Sequence, residues 1–340
     1  MTDWILLLCS ICACSTAAIC LASRPLGEWA GLMDRPDRIR KLHAVDTPLT
    51  GGIAVLFPVA LATAGFLLSV HFEQYLLTAT GASAALLVLG ALDDRYGLKV
   101  APRFLIFTAI VLIAFAVDPL FVIHTLRLEL LELEVPLAPF GWLTTLIMVI
   151  GFVNAVNMAD GMNGQFLGTV ALWSIFILFY IEPALAAPYA ALATSAAVAL
   201  VFNVRGRLFS GSAGSYAISL FIGLSAIALY RGSNGAFPAE IPVFWFWLPV
   251  ADCVRLFAWR MWSGRSPFSA DREHFHHILM GSLRPHNALA VYLALLAAPG
   301  IAALIDQEAA VAALFLCLAL YGLLLAFCRL HRGAAFSRKA

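Results

Sequence analysis

Long apolar blocks follow one another along this chain, and its polar residues are confined to the short gaps between them. Of 340 residues, 62% are hydrophobic and 12% charged, too few charges to cover a soluble surface. About 20 apolar residues in helical form cross the hydrocarbon of a bilayer. The pattern therefore predicts an all-α polytopic integral membrane protein of about eleven helices. The spans fall roughly at residues 4–22, 51–71, 75–92, 104–119, 140–156, 166–181, 184–201, 216–230, 241–257, 288–305 and 309–327. Several are short for a crossing, so flanking polar residues are expected inside the helices. Residues 126–135, between the fourth and fifth spans, alternate in part. They fit a hairpin or an interfacial helix, and periodicity does not decide between them.

Charge sets the orientation. With the N-terminus outside, all of the 21 Lys and Arg except Arg127 and Arg231 fall on the inner side, as the positive-inside rule requires. Asp3 precedes the first apolar run and Arg24 follows it, which reads as a first membrane helix rather than a signal peptide. The net charge of +1, with no basic tract, points away from nucleic acid. Seven cysteines lie in or beside apolar segments; Cys9 and Cys12 have C-x-x-C form, but no second pair completes a zinc set. They read as packing residues, without a disulfide framework. No large soluble segment or internal repeat is visible, so residues 1–340 are expected to form one transmembrane domain.

Five inner segments carry the chemistry: 24–50, 93–103, 154–165, 203–215 and 258–287. The first is basic, as a loop meeting anionic lipid headgroups would be. Its Pro48 and Gly51-Gly52 at a helix entrance also suit close approach of backbone amides to a phosphate. In the second, Asp93 and Asp94 repel one another unless a cation intervenes, and magnesium favours carboxylates combined with phosphate oxygens. Arg103 can reach a phosphate or simply snorkel. In the third, Asn154, Asn157 and Asp160 recur at helical spacing before two glycines. The fourth opens a helix with the small residues 210–215. The fifth holds Arg272, His274, His276 and His277, whose spacing does not match a zinc motif and which suit anionic oxygens better. Asp252, three residues before Arg255, reads as a buried structural bridge or as a contributor to the site.

In this order, from about residue 24 to 280, the segments resemble the polyprenyl-phosphate N-acetylhexosamine-1-phosphate transferases, glycosyltransferase family 4. The D-x-P…R-K-x-H…T-P…G-G pattern stands at Asp34, Pro36, Arg40, Lys41, His43, Thr47, Pro48, Gly51 and Gly52. G-x-x-D-D-R stands at Gly90 to Arg95, and N-x-x-N-x-x-D-G at Asn154 to Gly161. The D-R-x-H-x-H-H-x-L motif is complete from Asp271 to Leu279, and its Ser266-Pro-Phe-Ser lead-in resembles the undecaprenyl-phosphate GlcNAc-1-phosphate branch.

The resemblance implies transfer of HexNAc 1-phosphate from a UDP-HexNAc to undecaprenyl phosphate with release of UMP, the first step of a lipid-linked envelope glycan. It implies an active site on the cytoplasmic face of the bacterial inner membrane and a cofactor of magnesium, with manganese as substitute. The acceptor would lie among the membrane lipids, and a homodimer is compatible. Asp93, Asp94 and Asp160 take the catalytic positions. Asn157, Asp94 and position 212 take the metal positions. Lys41, His43, Thr47, Arg103, Asn163, Arg272, His274, His276 and His277 take the substrate positions. Two departures stand out: Asn163 replaces an aspartate, and Ser212 replaces the family's magnesium-ligand aspartate. The second raises the alternative of a catalytically impaired relative. A lipid-linked sugar transporter is a further alternative, though it predicts polar residues at span midplanes.

Overall fold

The computed structural model describes residues 2–36, 45–70, 72–233, 237–266 and 272–337. Backbone groups in hydrocarbon must pair within their own segment, and each apolar block accordingly forms a helix. The first is α1 (Thr2–Leu21), followed by the short α2 (Ser23–Ala30). Two-residue strands β1 (Met33–Asp34) and β2 (Thr47–Pro48) pair antiparallel. Next come α3 (Gly51–Ser69), α4 (Gln74–Tyr96) and α5 (Val100–Val117). The ambiguous segment forms a hairpin, β3 (Thr125–Leu128) and β4 (Leu133–Pro136), with Leu126 opposite Val135. The rest is α6 (Gly141–Ala159), α7 (Gln165–Tyr180), α8 (Ala186–Asn203), α9 (Gly211–Gly232), α10 (Glu240–Trp262), α11 (Phe275–Met280), α12 (Pro285–Ala303) and α13 (Gln307–Ser337).

The protein is thus an all-α polytopic membrane protein. Among the described residues ten helices are long and apolar enough to cross a bilayer, and α7, at 16 residues, is the shorter eleventh apolar helix. Large apolar side chains such as Leu68, Ile305 and Leu105 stand exposed, as lipid-facing residues do. The seven cysteines are free thiols.

Helix α9 is the axis of the bundle: 83% of its span is buried, against 22% for α1, α5 and α13. Lipid tails give no hydrophobic drive for helix pairing, so close packing carries the association. Small residues permit it here. A Cβ on Gly52 would overlap Gly214 of α9, and one on Gly90 would overlap the backbone of Ala213.

The two ends of α9 differ. At its C-terminal end Tyr230 ties down the hairpin, accepting from Arg127 N at 2.8 Å and donating to Thr125 O at 2.7 Å. Its N-terminal end meets the polar segments. With 22 residues in the helix, these ends lie about 33 Å apart at 1.5 Å per residue.

Candidate active site

Backbone hydrogen bonds join the first and fourth segments. Phe209 N donates to Pro48 O at 2.9 Å, Gly51 N to Phe209 O at 2.9 Å and Gly52 N to Ser210 O at 3.1 Å. This clamp sets the start of α9 beside the start of α3. Thr47 is buried within it and donates its hydroxyl to Val45 O. Lys41 and His43 lie outside the described residues.

The adjacent aspartates are part of the last turn of α4 rather than of a loop. The helix continues to a left-handed Gly97, whose N–H bonds Asp93 O at 2.8 Å. The two side chains separate. Asp93 is buried and pairs with Arg103 Nη1 at 2.6 Å, while its other oxygen accepts from Leu98 N at 3.0 Å. Asp94 instead reaches the first turn of α9, accepting from Ser212 N at 2.9 Å and Ala213 N at 3.1 Å. The Ser212 hydroxyl adds a hydrogen bond to the same carboxylate. Gly211, at φ 69°, leaves room for the Asp94 oxygen where a Cβ would collide with it.

The end of α6 supplies the third set. Asn157 Oδ1 accepts from Ser215 Oγ at 2.6 Å, and its Nδ2 faces Tyr216 OH at 3.4 Å. Asn154 turns away and bonds Ile150 O in its own helix at 2.8 Å. Asp160 follows the last turn. Burial pushes its carboxyl up to about 7; the nearby Asp94 charge adds to this, and a hydrogen bond from Ser210 opposes it. Asn163 is exposed beside Gly206. Asn203 locks the third and fourth segments together, accepting from Gly164 N and donating to Leu208 O at 2.8 Å.

From the fifth segment, α11 closes over this arrangement. The His276 ring packs against Gly161, where any Cβ would overlap it. His276 is buried, and its Nε2 has no hydrogen-bond partner among the described residues. Burial, reinforced by His277 and His274, holds its pKa well below the ordinary imidazole value. His274 stacks on His276 with ring centroids 5.7 Å apart, and His277 lies 4.1 Å from His276 by the same measure. Arg272 is exposed. A narrow cleft extends from Asp160 between helices, lined by Gln165, Thr169, Trp173 and Tyr292.

The donor set suits a hard divalent cation. Asp94 and Asp160 are close enough that one charge raises the other's pKa, a repulsion that a cation between them would relieve. No cluster of three His, Cys, Asp or Glu forms a metal site among the described residues. Magnesium needs only one or two carboxylates when substrate phosphates complete its shell.

Sequence reasoning placed Asn203, Ser210 and Ser215 in the fourth site segment but gave none of them a role of its own. The polar Asn203 at the end of an apolar helix was the available signal.

The sequence profile described as Glycosyl transferase family 4 matches residues 76–230, which include the second, third and fourth segments. The undecaprenyl-phosphate alpha-N-acetylglucosaminyl 1-phosphate transferase of Yersinia pestis is 33% identical over 281 residues, covering 77% of this chain and 73% of the relative. The chain belongs to glycosyl transferase family 4. Its similarity extends to the Escherichia coli (strain K12) enzyme of the same name, 31% identical over 76% of this chain and 71% of that one. A probable undecaprenyl-phosphate N-acetylglucosaminyl 1-phosphate transferase of Bacillus subtilis (strain 168) is 30% identical over 77% and 74%. As a member of this family the chain is a transferase, carried on a multi-pass membrane scaffold.

Proposed function

We propose that this single transmembrane domain transfers an N-acetylhexosamine 1-phosphate, GlcNAc being the first candidate, from its UDP form to undecaprenyl phosphate. UMP leaves, and the product begins a lipid-linked envelope glycan. The reading places the chemistry at the cytoplasmic face of the bacterial plasma membrane. One observation carries it: Asp94, Asp160 and Asn157 reach the N-terminal end of α9 from two other helix ends, all at one end of the bundle.

In this reading a phosphate oxygen of the lipid attacks the β-phosphorus of the donor. The bond from that phosphorus to the bridging oxygen breaks, and the oxygen leaves with UMP. Two polyanions must meet, so charge cancellation and positioning supply most of the catalysis. Asp94, Asp160 and Asn157, with Ser212, would hold magnesium, which neutralises phosphate charge when bound. Both oxygens of Asp93 are engaged, which favours a role in aiming Arg103 at the acceptor phosphate over one as general base. Lys41 and Asn163 would contact the nucleotide. Arg272, His274, His276 and His277 would hold the diphosphate or sugar.

The experiment is radiolabel transfer from a panel of UDP-sugars to undecaprenyl phosphate in detergent, with and without magnesium. Lipid-linked label and UMP are expected from a UDP-HexNAc, with loss on chelation. Label on no lipid, with any sugar or cation, refutes the reading. Ser212, a neutral side chain where the family has an aspartate, keeps the impaired-relative reading open to its own test. The collection of polar groups at one end of the bundle argues against a transporter.

A further inference from the structure

Asp252 lies just past the midpoint of α10 and is 4% exposed. A buried carboxylate is costly unless donors surround it, and here they do. Oδ1 accepts from Tyr321 OH at 2.7 Å and from Arg255 Nη2 at 2.7 Å and Nε at 3.2 Å. Oδ2 accepts from Phe275 N at 3.1 Å and lies 2.9 Å from His274 Nδ1. Arg255 also donates to Glu273 O at 2.7 Å, so the network grips the start of α11 through both backbone and side chain.

The donor count sets the imidazole tautomer. A carboxylate paired with a guanidinium is ionised and accepts only. Nδ1 of His274 must therefore carry the proton that joins the two groups. Nε2 is then the remaining polar atom of a ring stacked parallel to His276, which in turn packs on Gly161 beside Asp160.

We propose that Asp252 is a positioning residue of the transfer reaction, holding His274 by Nδ1 so that Nε2 is presented to the anionic diphosphate. The inference rests on the reading of the reaction given above. An anionic substrate on one side and Asp252 on the other would place a negative group at each ring nitrogen and fix the ring between them. An asparagine has one acceptor oxygen. If that oxygen stays with Arg255 and Tyr321, its NH2 opposes the Nδ1–H, and the hydrogen bond that holds the ring is lost.

The test compares Asp252→Asn, Asp252→Glu, His274→Gln and the Asp252→Asn/His274→Gln pair in the full chain, with UDP-GlcNAc as donor. Asp252→Asn is expected to lower kcat by about 10- to 100-fold, the usual effect of losing a partner that orients a site group. KM should change less. Asp252→Glu, which keeps the charge, should recover part of the loss. The double variant should turn over within about threefold of His274→Gln alone, because the two residues act as a unit. Losses that multiply, or an Asp252→Asn effect seen only as a lowered thermal midpoint, would overturn the proposal. A second variant avoids the buried carboxylate: His274→Asn places an amide at the Nδ1 position and lacks any atom at Nε2. It should keep the thermal midpoint and lose turnover at least about tenfold; retained turnover would also overturn the proposal. An active native chain with multiplying losses sinks this inference alone. An inactive native chain sinks both it and the reading beneath it.

Discussion

Asp94 caps the helix whose first turn holds Ser212: its carboxylate takes the backbone N–H of Ser212 at 2.9 Å and of Ala213 at 3.1 Å. The bond joins α4 to the axial helix of the bundle. It also brings a negative charge to the positive end of the α9 dipole. Asp94→Asn keeps the shape but offers one acceptor oxygen to two donors. It should cost about 1 kcal/mol of stability, as lost caps do. Turnover should fall by about 100-fold or more if the carboxylate also serves the metal. Thermal midpoint and UMP release measured on the same preparation check both; unchanged UMP release would remove Asp94 from the chemistry.

Ser212 stands where a further carboxylate would crowd Asp94, and its hydroxyl bonds Asp94 instead. The native chain is expected to release UMP. Ser212→Asp should shift the magnesium requirement to lower concentration, since a hard cation prefers the added carboxylate. Magnesium titrations of UMP release from the two forms decide it. Product from the Asp form alone would favour the impaired-relative reading.

Asp93 and Arg103 form a short ion pair, 2.6 Å, with Asp93 buried. Breaking one side of such a pair leaves a charge without its partner. If Arg103 must point at the acceptor phosphate, Asp93→Asn lowers kcat much more than it raises the donor KM, by about 10- to 100-fold. Arg103→Ala should raise the KM for the lipid acceptor and leave that for the UDP-sugar nearly unchanged. The reverse pattern would place Arg103 on the nucleotide.

The membrane architecture was legible because apolar composition leaves the backbone only helical solutions in lipid. Helix ends were less so. The apolar span ends at residue 92, yet α4 continues through Asp93 and Asp94 to Gly97, because the stop is a left-handed glycine rather than the first charge. The pairing of Met33–Asp34 with Thr47–Pro48 is two residues long and leaves no periodicity to detect. The partnership of Asp252 with His274 was also invisible, since 22 residues and the end of a helix separate them. Motif order brought the segments into one neighbourhood; only tertiary packing shows that the two adjacent aspartates serve different partners.

His276 gives a stability signature in acid. Its imidazole is buried with a depressed pKa, whereas the unfolded chain titrates near ~6.5. Below that pH the unfolded state binds the extra proton, so this contribution is present above about 6.5 and is lost as pH falls. The loss runs at up to about 1.4 kcal/mol per pH unit for one proton. His276→Gln should flatten the fall of the thermal midpoint between about pH 6.5 and 5. An unchanged slope would show that other groups control acid sensitivity.

The two ends of α9 make the proposed orientation testable. Arg205, Arg207 and Arg265 are exposed near the site end, and Arg127 and Arg231 are exposed at the hairpin end. In the proposed reading, charge bias puts the first group in the cytoplasm. Single cysteines at 205 and 265, in a chain freed of its seven native cysteines, should resist a membrane-impermeant maleimide in intact cells. They should react after the cells are opened. Cysteines at 127 and 231 should react in intact cells. The two groups are tied to opposite ends of one 22-residue helix, so they cannot share a leaflet without breaking α9. Labelling of 205 and 265 from outside would therefore invert the whole protein. The candidate site would then face away from any cytosolic nucleotide sugar, and the proposed reaction would fail with it.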